Sequence, residues 1–173
     1  MEAIYTKVYE VFNNAANQQT LINMGFEPIK TIDKFRGQTT NPEAFEVYEL
    51  PALFISCRTK WKQEGKRQIG DVAIDFHLVQ DLPMEAGSIY TSYQEGLKQL
   101  HYFKAVQQFL DGLQTTETTK LQRLEDSDID TGVVCYTLLS YTCQTYEAIG
   151  TTNSILVDDV EVEIIGKGLV NKI

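Results

Sequence analysis

The run Asp126-Ser127-Asp128-Ile129-Asp130-Thr131-Gly132 places a carboxylate at alternate positions, the spacing with which a calcium-binding loop begins. Such a loop turns on a glycine at its sixth position and closes on a bidentate glutamate at its twelfth. Thr131 and Thr137 stand there instead. The run therefore reads as a solvated acidic turn, where Asp and Gly supply local hydrogen bonds and backbone freedom. His77 and His101 are the two histidines, and neither has a Cys, His or carboxylate at zinc-ligand spacing. His77 shares its alternation phase with Asp75 and reads as a sheet histidine rather than a general acid or base. Cys57, Cys135 and Cys143 match neither a zinc pair nor a redox CxxC, and fall where strands are expected. They are expected to be buried, reduced thiols that pack as small hydrophobes. No GxSxG, SxxK or glycine-rich phosphate loop with lysine occurs, and Gly166-Lys167-Gly168 is too short to serve as one. No catalytic residue, metal or cofactor is expected, and hence no enzyme.

Two charge features remain. Arg58, Lys60, Lys62, Lys66 and Arg67 supply a third of the chain's 15 basic residues around Trp61, in a protein whose formal charge is −9. One reading is a solvated hairpin tip. A second is a docking loop, since Trp and Arg are enriched where partners bury surface and opposite charge steers assembly. A third is a small nucleic-acid-binding domain using that loop, although a single aromatic offers no second stacking platform. The converse feature is Asp158, Asp159, Glu161 and Glu163 in an apparent C-terminal strand. These carboxylates either guard a sheet edge or meet the basic loop of a neighbouring copy, the head-to-tail contact that rings require.

The elements that would position these groups are legible from hydrophobic period. Ile4, Val8, Val11, Phe12 and Ala15 recur at steps of three and four, predicting an amphipathic helix within residues 1–24, stopped at Gly25. Residues 26–49, with Pro28, Gly37 and Pro42, read as a long irregular arm. From Pro51 the chain reads as strand, apolar on both phases through Cys57 and then alternating at Val72, Ile74, Phe76 and Leu78. The two form a hairpin around the polar stretch Arg58 to Gly70. Tyr93, Leu97, Leu100, Phe103, Val106, Leu110 and Leu113 predict a second amphipathic helix. Lys120–Asp126 reads as a strand, Asp128–Gly132 as a turn, Val133–Cys143 as a principal strand, and Ser154–Ile165 as a last strand. Antiparallel hairpins with two amphipathic helices predict an α+β fold, a mainly antiparallel sheet of four to five strands with both helices on one face.

At 173 residues and 43% hydrophobic, the chain suits one domain with a proper core, residues 154–173 being an addition to it. The longest apolar runs fall far below the roughly 20 residues of a membrane helix. The N-terminus, Met1-Glu2-Ala3-Ile4-Tyr5, resembles no secretory signal, so the chain is expected to fold in the cytosol where it is made.

The element order resembles the tail-completion or tail-terminator proteins of long-tailed bacteriophages and prophages. The similarity rests on the N-terminal helix, the Pro-led strand Leu50-Pro51-Ala52-Leu53-Phe54-Ile55 and the basic-aromatic hairpin. It continues through the strand Asp71–Val79, the helix ending in Phe109-Leu110-Asp111-Gly112-Leu113, and the strand Val133–Tyr146. The resemblance implies a virion protein of the tail or neck, made in the host bacterial cytoplasm, that forms a hexameric ring on the last tube ring, contacting the tail tube protein and a neck or head-closure protein. DNA would pass through an acidic lumen without specific binding, and no membrane is involved. A neck or head-closure subunit is the alternative within the same class.

Overall fold

The computed structural model of the protein describes residues 2–39, 48–65, 67–81, 94, 97, 101–131 and 134–148. The N-terminal stripe forms α1, Glu2–Asn13, which buries Ile4, Val8 and Phe12. The helix does not continue to residue 24 as expected. Asn14 takes extended backbone (φ −70, ψ 123), and its Oδ1 accepts from the backbone N–H groups of Ala16 and Asn17 to start α2, Ala15–Asn23. An asparagine in that role satisfies amides that a helix start would otherwise leave unpaired. α2 ends at Gly25, as its residue type predicts. There φ is 83, and the amide of Phe26 returns to the carbonyl of Leu21 at 3.0 Å.

The arm expected to be irregular contains a strand, β1 (Thr31–Lys34), while residues 40–47 lie outside the described residues. The remaining strands are β2 (Ala52–Glu64), β3 (Arg67–Asp81), β4 (Gln122–Asp130) and β5 (Val134–Ala148). They form one sheet in the order β1-β2-β3-β5-β4, with β1 parallel to β2 and the other neighbours antiparallel. The α+β class and largely antiparallel sheet are as expected. Three helices are described rather than two, because Asn14 divides the first.

One sheet face carries the main core. Leu53 and Ile55 of β2, Ile74, Phe76 and Leu78 of β3, and Leu139 and Tyr141 of β5 pack with Ile4, Val8 and Phe12, and with Val106 and Leu110 of α3 (Tyr102–Leu110). The stripe predicted over Tyr93–Leu113 is described as a helix in this part, Leu113 lies beyond its end, and Tyr93 and Leu100 lie outside the described residues. On the opposite face a smaller cluster, Ala52, Phe54, Val79 and Tyr136, is covered by Phe35, Tyr48 and Leu50.

The acidic run is corrected by the sheet. Asp126 lies in a strand as expected, but Asp128 does not begin a turn: β4, an edge strand, continues to Asp130. Thr137 of β5 sits opposite Asp128 and donates to its Oδ1 at 2.9 Å, so cross-strand pairing overrides the poor strand propensity of Asp. A register shift between Arg123 and Glu125 leaves Leu124 63% exposed. The expected strand Ser154–Ile165 lies outside the described residues.

Candidate functional site

The basic cluster is not on a loop. β2 and β3 pair continuously from Ala52 opposite Val79 to Glu64 opposite Arg67, so the polar stretch Arg58 to Gly70 is itself the distal half of a hairpin. The chain reverses beside Gly65, whose φ of 60 is left-handed and suits glycine. β1 stops pairing at Ile55, whereas β5 accompanies β3 out to Ala148 opposite Arg67. The distal part is therefore a three-stranded ribbon of β2, β3 and β5.

Strand alternation then sorts the candidate residues. Arg58, Lys60 and Lys62 share the face opposite the helices with Asp71 and Asp75 of β3 and with Ser140 and Gln144 of β5. The Arg58 guanidinium lies 3.5 Å from Asp75, and the Lys62 ammonium bonds Asp71. Ser140 donates to Asp75 at 2.7 Å, and Gln144 donates to Asp71 at 3.1 Å. The hydrogen bond from Lys62, reinforced by that from Gln144, holds the Asp71 carboxyl below the ordinary carboxylate range. The local field is thus tempered, with two aspartates interleaved among three bases. Arg58 and Lys62 remain 79% and 72% exposed, so these pairs order side chains more than they stabilise the fold. Lys60 has no ion pair among the described residues.

Trp61 faces the other way. It pairs with Gly70, where an added Cβ would come within 2.9 Å of the indole Cζ3, 2.7 Å of the Thr59 methyl and 2.8 Å of the Thr145 methyl. Gly70 is a niche into which the ring settles, leaving Trp61 44% exposed. The aromatic group and the three bases therefore sit on opposite faces of the ribbon. Arg67 is exposed at the tip; Lys66 and the acidic group Asp158, Asp159, Glu161 and Glu163 lie outside the described residues.

A polar cluster at the other end of the same face was not anticipated. His77 is 7% exposed; its Nδ1 lies 2.5 Å from the Tyr136 hydroxyl and its Nε2 3.3 Å from Ser56 Oγ. Phe35 stacks on the imidazole at 3.6 Å with the rings 8° from parallel. Burial lowers the imidazole to about 4, so it is neutral at physiological pH with both nitrogens engaged. The shared phase of Asp75 and His77 was readable from sequence; Tyr136 and Phe35 come from distant segments and left no local signal. Burial pushes the Cys57 thiol up to about 11 and raises Cys135 and Cys143 as well, so all three free thiols stay protonated near neutrality. Cys143 is buried, whereas Cys57 and Cys135 are only partly so. Among the described residues no group of three or more His, Cys, Asp or Glu gathers at metal-binding distance, and no helix is long and apolar enough to cross a membrane.

The geometry defines an α+β sheet protein with helices packed on one face and a polar, ion-paired ribbon projecting beyond them. No protein-family model and no curated protein matches the chain. Among solved structures its fold is similar to that of a chain in the virion of a native gene transfer agent particle, with a TM-score of 0.53 and 11% identity. The match covers 84% of this chain and 96% of that chain. At this identity the likeness is one of fold.

Proposed function

We propose that this chain is a structural, non-catalytic virion protein, and in particular a subunit of a ring that completes the tail tube and joins it to the head. The observation that carries the reading is the fold likeness to a virion chain, which spans 96% of that chain. The element order read from sequence supports the same class independently. A subunit of this kind works by shape: sheet edges and projecting ribbons meet neighbouring copies, one ring face seats on the tube protein, and the other meets a neck or head-closure protein. The formal charge of −9 favours passage of DNA through such a ring without adhesion.

The nucleic-acid-binding reading loses ground on geometry. Stacking and phosphate contact would need Trp61 and the bases on one surface, and they occupy opposite faces of the ribbon. Electron microscopy of the purified protein should show sixfold rings, and deleting it from the particle that encodes it should release tube length from control. Normal tails lying beside separate filled heads would refute the terminator role and assign the protein to the head side.

A further inference from the structure

We propose that the acidic edge strand β4 of one copy docks by its side chains on the basic face of the β2–β3–β5 ribbon of a second copy. The proposal rests on the reading that the chain assembles with copies of itself. From Gln122 to Ile129 every residue of β4 is exposed, and this stretch sets Glu125, Asp126 and Asp128 against a single base, Arg123. Arg123 is engaged within its own copy: it donates to Gln107 at 2.6 Å and lies 3.7 Å from Asp111. Among the described residues no ion pair involves Glu125 or Asp126. Charges along an edge strand and a shift in its register both oppose the addition of a further strand. What β4 offers a neighbour is therefore its side chains.

Charge selects the surface that meets it. Arg58 and Lys62 are 79% and 72% exposed, whereas their partners Asp75 and Asp71 are only 21% and 35% exposed. The outermost charge of that face is therefore positive although aspartates lie among the bases, and Lys60 adds a third exposed cation to it. Apolar surface matches as well. Leu124, 63% exposed beside Glu125, has no register partner in β5. Lys62 lies opposite Ile69 and Ile69 opposite Tyr146, so the basic face also carries the Tyr146 ring, 50% exposed. An exposed leucine among carboxylates and an exposed tyrosine among bases supply the two halves of an interface with apolar contact inside a charged rim.

The sheet order assigns the two surfaces to different copies. In the order β1-β2-β3-β5-β4, two strands stand between β2 and β4, which sets them about 14 Å apart. A continuous sheet does not fold its own β4 over the ribbon, so the acids of one copy are available to the bases of the next. Each copy carries both surfaces, and a contact between unlike surfaces runs head to tail until a ring closes. Two β4 strands would repel one another, as would two basic faces, which disfavours a two-fold dimer through either surface.

Reciprocal charge reversal in the full chain tests the contact. K60E/K62E and E125K/D126K should each weaken self-association by about tenfold or more in sedimentation velocity, with far-UV circular dichroism unchanged. An equimolar mixture should recover wild-type association, because the acidified ribbon of one variant meets the basic β4 of the other. Loss in the separate variants without recovery in the mixture would overturn β4 as the partner of the ribbon. Undiminished association of both would overturn the contact, and rings of either variant seen by microscopy would show that the ring stands without it. Leu124→Ser leaves every charge in place and should also weaken association; wild-type association of that variant would remove this surface from the interface. Wild-type association that does not fall as salt is raised would overturn the pairing of charges. A wild-type chain that stays monomeric at every concentration reached would overturn contact and ring together.

Discussion

Stability measured between pH 7 and pH 4 should report on His77. The unfolded chain titrates this imidazole near its ordinary value of 6.5, whereas burial against Phe35 and Tyr136 lowers it to about 4 in the fold, with Asp75 pulling weakly in the opposite direction. Because the folded value is depressed, the fold holds the neutral ring. Its stabilising contribution is complete above pH 6.5 and is lost as pH falls towards 4, since the unfolded chain then takes up a proton that the folded chain does not. At about 1.36 kcal/mol per pH unit, the loss relative to pH 7 comes to about 2 kcal/mol at pH 5 and about 3 kcal/mol at pH 4. Carboxylates ordinarily titrate near or below 4.3, so the interval from 6.5 to 5 is dominated by histidine. Urea denaturation at fixed protein concentration, followed by Trp61 fluorescence, gives the quantity directly. His77→Gln keeps a neutral polar group beside Tyr136 and should cost about 1 kcal/mol at pH 7 through a weaker hydrogen bond, while flattening the slope between pH 6.5 and 5. An equal slope in variant and wild type would refute the assignment, as would a wild-type stability that does not change over that interval.

Asn14→Ala removes the acceptor that starts α2 and should destabilise the protein by about 0.5–2 kcal/mol in thermal or urea unfolding, whereas Asn14→Gly should cost only a few tenths; equal losses for the two would rule out the capping role. Gly70→Ala forces a methyl against the Thr59, Thr145 and Trp61 side chains, and overpacking of about 1–3 kcal/mol should exceed the 0.5–1 kcal/mol that alanine ordinarily gains over a strand glycine. The substitution should also shift Trp61 emission to the red, and a more stable variant with unchanged emission would contradict the niche. Amide exchange should find the β2 amides directed at β3 protected through Lys62 in the isolated chain, since the pairing runs unbroken to Glu64; exchange at unfolded rates there would show that the ribbon is not formed before assembly.

What could be read from sequence followed where one physical signal dominated. The stripe Ile4, Val8, Phe12, the alternation of Val72, Ile74, Phe76 and Leu78, and the long β-branched and aromatic run of β5 each bury one face, so hydrophobic period located them. The break at Asn14 escaped because a capping asparagine and a solvent-facing one look alike until the backbone turns. β1 escaped because three half-buried residues and an exposed lysine show no alternation; its strand character comes from pairing with β2. In β4, Asp128 and Asp130 argued for a turn, and only the register with β5 makes them strand. At the candidate site, the clustering of bases around Trp61 was visible, but their neutralising partners were not. Placing Asp71 beside Lys62 and Asp75 beside Arg58 requires the β2–β3 register, and placing Gln144 beside Asp71 requires that of β3 with β5.

That register also changes what the basic segment is suited to do. A mobile basic loop would order only on contact, losing backbone entropy of about 1–2 kcal/mol per residue at the moment of binding. Here the same residues already belong to a ribbon braced by β5 on one side, by the Arg58–Asp75 and Lys62–Asp71 pairs on one face, and by Trp61 seated on Gly70 on the other. Most of the ordering cost is met when the chain folds, so whatever docks on the ribbon meets a preformed surface. The aspartates between the bases act in the same direction: they fix the Arg58 and Lys62 side chains in position and lower the net field, so the position of each exposed cation, more than the total charge, decides what the face can meet.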